Sequence, residues 1–305
     1  LPNVSYLGWD ETVRPHAQPA VTAARPDEVE WPPVSAIVAL GLTYADHLRE
    51  TGQKIDMLVP PMTFAKHLRT LVHGDGSTPV PTSDAIRHAL EELEPTLGEH
   101  LGERLAWFPA VMDYEGELAL VALGPIDQAQ LAAGVPQPFG LAAANDLTSR
   151  LVQVLGEDNE RQLEFWAAAK SFARFLPAAP RVWAPAGGLR EIPELTIETK
   201  VNGELRQEAS TKLLIYDLPT IVRAASAQLG RPLARGDVII TGTPSGVGLR
   251  LNRVRRKVAG LIKDRLRKAE LLVSQYASSS SLLRPGDVVE VDAGPAGRVT
   301  TRLTV

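Results

Sequence analysis

The sequence predicts an α+β fold with curled sheets and few helices, in preference to a doubly wound fold. Two observations indicate this class. The C-terminal half is dense in strand and turn signals, and its strands come in runs instead of alternating regularly with helices. The chain has 305 residues, enough to bury a large core as one large or two modest domains.

The first 34 residues differ from the rest of the chain. Residues 1–34 are rich in proline and polar residues and end near Trp31-Pro32-Pro33, which predicts an irregular arm or small separate region. The main domain is predicted over residues 35–305. It opens with the apolar run SAIVALGL, typical of a buried strand, and continues with YADHLRETG, which has helical spacing and a stop at Gly52.

A second helix is predicted from Ser83 to Leu97. Ser83 is suited to cap its N-terminus, while Ile86, Leu90 and Leu93 recur at helical spacing. The opposite side is strongly acidic, and the acidic stretch extends over residues 83–103.

An acidic motif, DYEGEL, interrupts a run that otherwise indicates a buried strand, residues 110–123. Alternate residues of a strand share a face, so Asp113, Glu115 and Glu117 are expected on the same side. A carboxylate removed from water raises its pKa, pairs with a cationic side chain, or binds a hard metal ion. The alternative is a strand end that passes into solvent.

The C-terminal half contains two predicted hairpins. The segment LTIETKVNGELRQEAST alternates around Asn202-Gly203, a strong type I′ turn signal. The second hairpin is terminal and turns near Gly294 to Gly297. Between them, residues 237–248 predict a strand that runs into a glycine-rich loop.

A basic insertion is predicted at about residues 249–281. Apolar residues recur there at helical spacing, which predicts one amphipathic helix: Val254, Val258, Ile262, Leu266, Ala269 and Val273. Residues 250–268 hold nine Lys or Arg against one Asp. A solvated surface helix, or one packed on a second subunit, is favoured over a nucleic-acid site because no stacking aromatic residues are interleaved.

The composition excludes several function classes. The net charge is −4, which gives no global bias towards nucleic acid or anionic membranes. The absence of cysteine excludes disulfides, thiolate metal sites and a cysteine nucleophile, so any metal should be hard. No apolar stretch reaches 18 residues, and a cytoplasmic protein without a membrane segment is expected.

Several other polar residues are candidates for a site. Asp146 precedes a helix-like stretch, where it suits either an N-cap or a ligand. Lys170 lies in an apolar neighbourhood, where a lysine is costly unless it reaches water or faces an anion. His47 and Glu50 are three residues apart on a predicted helix, which is either an oriented base or a weak surface pair.

In combination these motifs resemble the fumarylacetoacetate hydrolase family. The motifs are GLTYADHLRE, DYEGELALV, NDLTSRLVQ, KSF, VNGELRQ, GDVIITGTPSGVG and LRPGDVVEV, in the order found in that family. The resemblance implies a β-roll-like catalytic domain, usually dimeric, and a divalent cation held by Glu115, Glu117 and Asp146. Mg²⁺ is expected, with Mn²⁺ or Ca²⁺ as alternatives. It also implies a water-activating pair, His47 and Glu50, on a lid segment, with Lys170, Gln153 and Thr243 facing the substrate.

The chain departs from the family pattern at two positions. Leu151 stands where the family often has Asp, and Ala173 follows KSF where the family often has Asp. Neither change removes a candidate ligand, but both affect the surroundings of the site. The acidic and basic helical stretches also exceed the usual pattern.

The leading hypothesis is metal-dependent hydrolysis of a carbon-carbon bond in a 1,3-dicarbonyl acid, such as an acylpyruvate, through a metal-stabilised enolate. Oxaloacetate-type decarboxylation and hydroxymuconate-type isomerisation are the alternatives, because the same scaffold supports them. A non-catalytic protein that uses the basic helix to bind an acidic partner is a further alternative. The expected partners are a small oxo acid and a second copy of the chain.

Overall fold

The computed structural model describes residues 27–51, 59–101, 108–157, 160–249 and 262–305. Most of the predicted N-terminal arm lies outside these residues, and the domain boundary at residue 34 stays a prediction. Close to the start of the described chain, the Trp31 indole Nε1 donates a hydrogen bond to the Ala179 carbonyl at 2.9 Å. This contact fastens the beginning of the described chain to the main body.

The secondary structure consists of many short strands and a few helices. In chain order the strands are β1 (Glu28–Val29), β2 (Ala36–Gly41), β3 (Met62–Lys66), β4 (Leu71–His73), β5 (Gly76–Pro79), β6 (Met112–Asp113), β7 (Gly116–Ala122), β8 (Phe139–Asn145), β9 (Thr148–Ser149), β10 (Leu176–Ala178), β11 (Val182–Trp183), β12 (Thr196–Val201), β13 (Glu204–Ser210), β14 (Asp237–Ile240), β15 (Val288–Asp292) and β16 (Arg298–Thr304). The helices are α1 (Ala45–Thr51), α2 (Ser83–Leu93), α3 (Pro95–Leu101), α4 (Gln128–Ala132), α5 (Arg150–Leu155), α6 (Gln162–Ala169), α7 (Leu218–Leu229) and α8 (Arg265–Ser278).

The larger sheet forms the centre of the molecule and contains nine strands within the described residues. Its main path runs β1-β11-β8-β7-β14-β2-β3, and β10 joins β8 to β4 at the side. Strands β7 and β8 pair antiparallel from Gly116↔Asn145 to Ala122↔Phe139. Both are buried along their whole length, and their sequences, GELALVA and FGLAAAN, are apolar on both faces except at Glu117 and Asn145.

The smaller sheet has the order β13-β12-β15-β16-β5 among the described strands. Its first hairpin turns at Asn202 and Gly203, whose φ angles of 52° and 82° fit the predicted type I′ turn. Burial alternates along β12 and β16, so one face is covered. That face packs against β7 and β8 of the larger sheet. Two mixed sheets packed together, with short helices around them, confirm the predicted α+β class.

The acidic segment is not the single strand that its alternation predicts. The chain breaks between β6 and β7, and Val111 just before β6 takes a left-handed conformation with φ of 51°. Asp113 therefore belongs to the small β6-β9 sheet, while Glu115 and Glu117 enter the next segment. All three side chains are buried, which contradicts the alternative of a strand end in solvent.

Helix α2 is shorter than predicted and has a different cap. Thr82, not Ser83, is the N-cap, and its hydroxyl accepts a hydrogen bond from the Ala85 backbone N–H at 3.2 Å. The helix ends at Leu93 because Pro95 follows, and a residue before proline is disfavoured in helical geometry. Proline suits the first turn of a helix, so α3 begins there.

The basic helix begins later than predicted. Helix α8 starts at Arg265, with the Asp264 side chain accepting from the Arg267 N–H at 3.0 Å. Residues 262–264 are not helical, so a single helix running through Ile262 is wrong. Val254 and Val258 lie outside the described residues, whereas Ala269 is buried as its spacing predicts.

The basic helix and the acidic stretch contact each other. The Arg265 guanidinium pairs with the Glu94 carboxylate at 2.7 Å and donates to the Leu155 carbonyl at 2.5 Å. Lys268 is buried and its ammonium lies 3.5 Å from the Glu157 carboxylate. The charges on this side of α8 are therefore used inside the molecule.

None of the helices formed by the described residues combines the length and the apolar character needed to cross a bilayer.

Candidate metal centre

Three buried carboxylates converge where β7 begins and β8 ends. One oxygen from each of Glu115, Glu117 and Asp146 lies within 4.8 Å of the others. The antiparallel register explains the meeting: Gly116 pairs with Asn145, so the residues flanking this pair are neighbours. The Asp146 N–H also donates to the Glu115 carbonyl at 2.8 Å, which fixes the two segments together.

Lys170 lies directly against this triad. It is the residue that ends α6, and its ammonium contacts Glu115 Oε2 at 2.6 Å and Asp146 Oδ2 at 2.8 Å. The third donor goes to the Thr148 hydroxyl at 2.8 Å. All three donors of the ammonium are thus engaged, and in this arrangement Lys170 holds the carboxylates in place.

A second buried lysine is not evident from the sequence. Lys66, the last residue of β3, donates to Asp146 Oδ1 and to the Lys170 carbonyl, each at 2.5 Å. It lies on an edge strand with exposed neighbours such as Ala65, so nothing in its local pattern indicates burial. Only the pairing of β3 with β2 brings it to the site.

Arg150 completes the set of cations around the triad. Its guanidinium contacts Glu115 Oε1 at 2.8 Å and Asp113 Oδ2 at 2.7 Å. It also donates to Gln153 Oε1 at 2.6 Å, one turn along α5. Gln153 is therefore connected to the candidate ligand Glu115 through Arg150. Asp146 does not cap α5, whose N-cap residue is Ser149.

The two glutamates experience opposite electrostatic environments. Burial alone would raise the pKa of Glu115, but the Lys170 and Arg150 cations outweigh burial and hold that pKa at about 2. Burial, reinforced by the Asp146 charge, raises the pKa of Glu117 well above its usual range. Glu117 therefore retains an incompletely compensated negative charge when it ionises.

The triad fits a hard divalent cation. Four buried carboxylates, those of Asp113 and the triad, outnumber three buried basic groups, those of Lys66, Lys170 and Arg150, so negative charge is in excess when all of them are ionised. Burial opposes that state, because it raises the pKa of Glu117 and lowers the pKa of Lys66. The nearby Asn145 side chain is buried, and its Nδ2 has no hydrogen-bond partner among the described residues. Carboxylate oxygens are the ligands that Mg²⁺, Mn²⁺ and Ca²⁺ prefer.

His47 and Glu50 form a pair on α1. His47 Nδ1 lies 3.2 Å from Glu50 Oε2, and Glu50 also accepts from the Gly246 N–H at 3.2 Å. The imidazole lies within electrostatic range of Glu115, because a proton on His47 would lower the pKa of that carboxyl. Helix α1 is fastened further through Asp46, which accepts from the Ser245 hydroxyl at 2.8 Å.

Thr243 lies in the loop that follows β14, and a buried glutamine connects this loop to β7. Gln207 Nε2 donates to the Thr243 hydroxyl at 2.9 Å, and Gln207 Oε1 accepts from the Gly116 N–H at 2.9 Å. In the same loop the Gly242 N–H donates to Glu117 Oε2 at 2.6 Å. Gln207 is not evident from the sequence, because its position on a solvent-edge hairpin strand does not indicate burial.

The departures from the family pattern lie in different surroundings. Leu151 is fully buried on α5 and belongs to the hydrophobic core. Ala173 is exposed. An aspartate at position 151 would therefore require a buried partner, whereas position 173 does not impose this requirement.

Comparisons with known proteins agree with the resemblance. The family model described as fumarylacetoacetate (FAA) hydrolase, C-terminal, matches residues 36–304. An oxaloacetate tautomerase of Bacillus subtilis is 33% identical over 217 residues, which are 71% of this chain and 60% of that protein. The mitochondrial oxaloacetate tautomerase of Homo sapiens is 32% identical over 230 residues, 75% of this chain and 88% of that protein.

Solved structures share the fold. Fumarylacetoacetate hydrolase of Exiguobacterium antarcticum has a TM-score of 0.54 at 26% identity and covers 90% of this chain and 76% of its own. Fumarylpyruvate hydrolase of Pseudomonas aeruginosa, solved in complex with Mn²⁺ and pyruvate, has a TM-score of 0.58 at 19% identity. That match covers 94% of this chain and 100% of the other. The predicted roll-like architecture is confirmed.

Proposed function

The chain belongs to the fumarylacetoacetate hydrolase family, and on this basis we propose that it is a divalent-metal-dependent tautomerase of oxaloacetate or a similar 2-oxo dicarboxylic acid. The single observation that carries the proposal is an oriented imidazole, His47 with Glu50, within electrostatic range of Glu115 in a buried carboxylate triad. The relatives support proton transfer more than the carbon-carbon hydrolysis that the residues alone favour.

Glu115, Glu117 and Asp146 would hold the cation, with Mg²⁺ or Mn²⁺ as the favoured ion. A divalent cation there would withdraw electrons from the substrate's 2-oxo group and acidify its C3–H bonds. With all of its groups ionised, the buried cluster has one carboxylate more than it has basic groups, and a divalent cation would convert this excess into a net positive charge that favours an anionic substrate.

The proposed proton transfer belongs to His47. Glu50 accepts the Nδ1–H hydrogen bond, so Nε2 carries the lone pair that takes a proton from C3. The same nitrogen returns a proton to the 2-oxo oxygen. One C–H bond breaks and one O–H bond forms, so the keto acid becomes its enol without any atom gained or lost.

Arg150 and Lys170 would hold the carboxylate ligands in position during this step. Both are buried and charged: burial opposes ionisation, but the neighbouring carboxylates outweigh it and raise the pKa of each. Arg150 contacts Glu115 Oε1 at 2.8 Å and Lys170 contacts Glu115 Oε2 at 2.6 Å, so both oxygens are held. Preorganised ligands of this kind reduce the rearrangement needed when the substrate binds.

Hydrolysis of an acylpyruvate is the second candidate. The observation that favours it is the same imidazole, whose Nε2 can take a proton from water in place of a carbon acid. Decarboxylation of oxaloacetate needs no such base for its bond-breaking step, and the His47–Glu50 pair gives it no support.

The test compares three reactions on one preparation. The enol of oxaloacetate is added to the protein with Mg²⁺ or Mn²⁺, and its loss is followed by ultraviolet absorbance. Relaxation about 100-fold or more faster than in buffer, and abolished by a chelator, is expected. Pyruvate release from oxaloacetate reports decarboxylation, and acylpyruvate loss reports hydrolysis. Faster acylpyruvate cleavage would favour the second candidate, and no acceleration of any reaction would contradict both.

A further inference from the structure

Asp113 is a buried carboxylate that the proposed chemistry does not use. It has no exposed surface and accepts four hydrogen bonds. Oδ1 accepts from the N–H groups of Tyr114 and Gly248, at 2.9 Å and 2.7 Å. Oδ2 accepts from the Leu249 N–H at 3.0 Å and from Arg150 Nε at 2.7 Å. Each of the two carboxylate oxygens therefore accepts hydrogen bonds from two specific donors, which uses all of its lone pairs.

Three of these donors belong to segments that are distant in sequence. Gly248 and Leu249 begin the basic insertion, and its far end returns to the same place. There the Ser281 hydroxyl donates to the Gly248 carbonyl at 2.6 Å, and the Leu283 N–H donates to the Met112 carbonyl at 2.9 Å. Both ends of the insertion are thus fastened to β6, two residues before Glu115.

Arg150 connects this junction to the candidate metal centre. Its Nε is held by Asp113, while its terminal nitrogens contact Glu115 Oε1 at 2.8 Å and Gln153 Oε1 at 2.6 Å. A guanidinium is planar and rigid, so fixing one edge fixes the direction of the others. The orientation of Arg150 towards Glu115 consequently depends on Asp113.

We propose that Asp113 is a positioning residue, which anchors the base of the insertion and aims Arg150 so that Glu115 stays oriented to bind the metal ion. The inference rests on the proposed metal-dependent function. Without the Asp113 charge, Glu115 is the anionic partner left to Arg150 among the described residues, and Arg150 competes with the cation for the oxygens of Glu115. With the Asp113 charge present, the guanidinium of Arg150 is shared between the carboxylates of Asp113 and Glu115.

The test is Mn²⁺ binding to Asp113→Asn, measured by calorimetry in the absence of substrate. Asparagine has the same shape but one acceptor oxygen, so no orientation of its amide satisfies both pairs of donors. Mn²⁺ affinity is expected to fall about tenfold or more, the range found when a partner of a metal ligand is removed.

Asp237→Asn is the matched control. Asp237 is equally buried and also joins an arginine to a loop N–H, since it accepts from Arg231 Nη1 at 2.5 Å and from the Ala234 N–H at 2.8 Å. It begins β14, whereas the candidate site lies beyond the other end of that strand. Its substitution is expected to lower stability and to leave Mn²⁺ affinity within about twofold of wild type.

A second variant covers the case in which Asp113→Asn does not fold. A methyl group at Gly248 would lie 2.5 Å from Asp113 Oδ1 and 2.6 Å from the Ser281 carbonyl oxygen. Gly248→Ala must therefore displace the junction without removing a charge, and it is expected to weaken Mn²⁺ binding more than Asp237→Asn does.

The outcomes separate the inference from the function on which it rests. Wild-type Mn²⁺ affinity in folded Asp113→Asn, or in Gly248→Ala when the first variant does not fold, overturns the role of Asp113 alone. An equal loss of affinity in Asp237→Asn also overturns it, because the effect would then be general destabilisation. Failure of the wild-type protein to bind Mn²⁺ overturns both the metal site and the inference.

Discussion

His47 is held in place by contacts that reach a separate loop, as its proposed role of catalytic base requires. Its partner Glu50 contacts both the imidazole Nδ1 and the Gly246 N–H, so the pair cannot rotate independently of the loop. The bond to Nδ1 selects the tautomer in which Nε2 is unprotonated. This arrangement differs from an ordinary helical His–Glu pair, which has only its own helix for support.

His47→Ala is expected to reduce enol–keto turnover about 10²- to 10⁴-fold, the usual contribution of a general base, while Mn²⁺ affinity changes little. Turnover is measured by absorbance and metal binding by calorimetry. His88→Ala is the matched control, because His88 also lies near a glutamate on a helix, 3.4 Å from Glu92, but is about half exposed. Full activity of His47→Ala on every accepted substrate would contradict the assignment of the base.

At the residue scale, the sequence predicts the carboxylates of the candidate centre better than the side chains that surround them. Glu115 and Glu117 can be predicted because they interrupt an apolar run, and the family resemblance adds Asp146. Lys66 and Gln207 cannot be predicted from the local sequence, because each lies on a strand whose sequence gives no reason for burial. Their roles depend on strand pairing over long sequence separations, which alternation within one strand does not specify.

At the scale of elements, the acidic stretch and the basic helix stabilise each other across α5 and α6. Arg265 contacts Glu94 and the Leu155 carbonyl, and its guanidinium lies 5.1 Å from the centre of the Phe165 ring. Buried Lys268 is directed towards Glu157. A surface for an acidic partner needs basic groups that face solvent, and this face of α8 does not provide them.

Arg265→Met is expected to lower the free energy of unfolding by about 1–3 kcal/mol, because it removes an ion pair and a hydrogen bond to a helix end. The measurement is urea denaturation at neutral pH. Arg267→Met removes an equal charge from an exposed position of the same helix and should change the free energy of unfolding by about 0.5 kcal/mol or less. Equal effects of the two substitutions would indicate that only the net charge of the helix matters.

The elements also show where periodicity fails as a predictor. The apolar spacing of the insertion continues through Ile262, yet the helix starts at Arg265, where Asp264 caps it. The capping interaction sets the boundary there, since an N-cap satisfies a backbone N–H that would otherwise be unpaired. In the same way, Pro95 divides one acidic periodic stretch into α2 and α3.

At the scale of the whole molecule, the candidate centre is where distant parts of the chain meet. Lys66 from β3, Lys170 from the end of α6 and the loop after β14 all reach the carboxylates at the junction of β7 and β8. When all of these groups are ionised, four carboxylates meet three basic groups in the interior, and the excess negative charge disfavours the folded state until a counter-charge is present. A cation that binds only the folded protein should therefore increase its global stability.

The last prediction concerns this linkage and its dependence on pH. At an Mn²⁺ concentration about 100 times the dissociation constant, binding contributes about 2.7 kcal/mol, or a rise in melting temperature of roughly 5 °C.

The raised pKa of Glu117, caused by burial and by Asp146, means that a proton competes with the cation. Below the ordinary glutamate pKa, Glu117 is protonated in both folded and unfolded protein. As the pH rises from there through the raised folded pKa, the contribution of Glu117 to the stability of the metal-free protein is lost, while the stabilisation by Mn²⁺ increases. Scanning calorimetry at about pH 5.5 and pH 8, with Mn²⁺ and with a chelator, should thus give the larger metal-dependent rise at the higher pH. The double variant Glu115→Gln, Asp146→Asn should give no rise at either pH, and a rise that persisted in it would place the cation elsewhere.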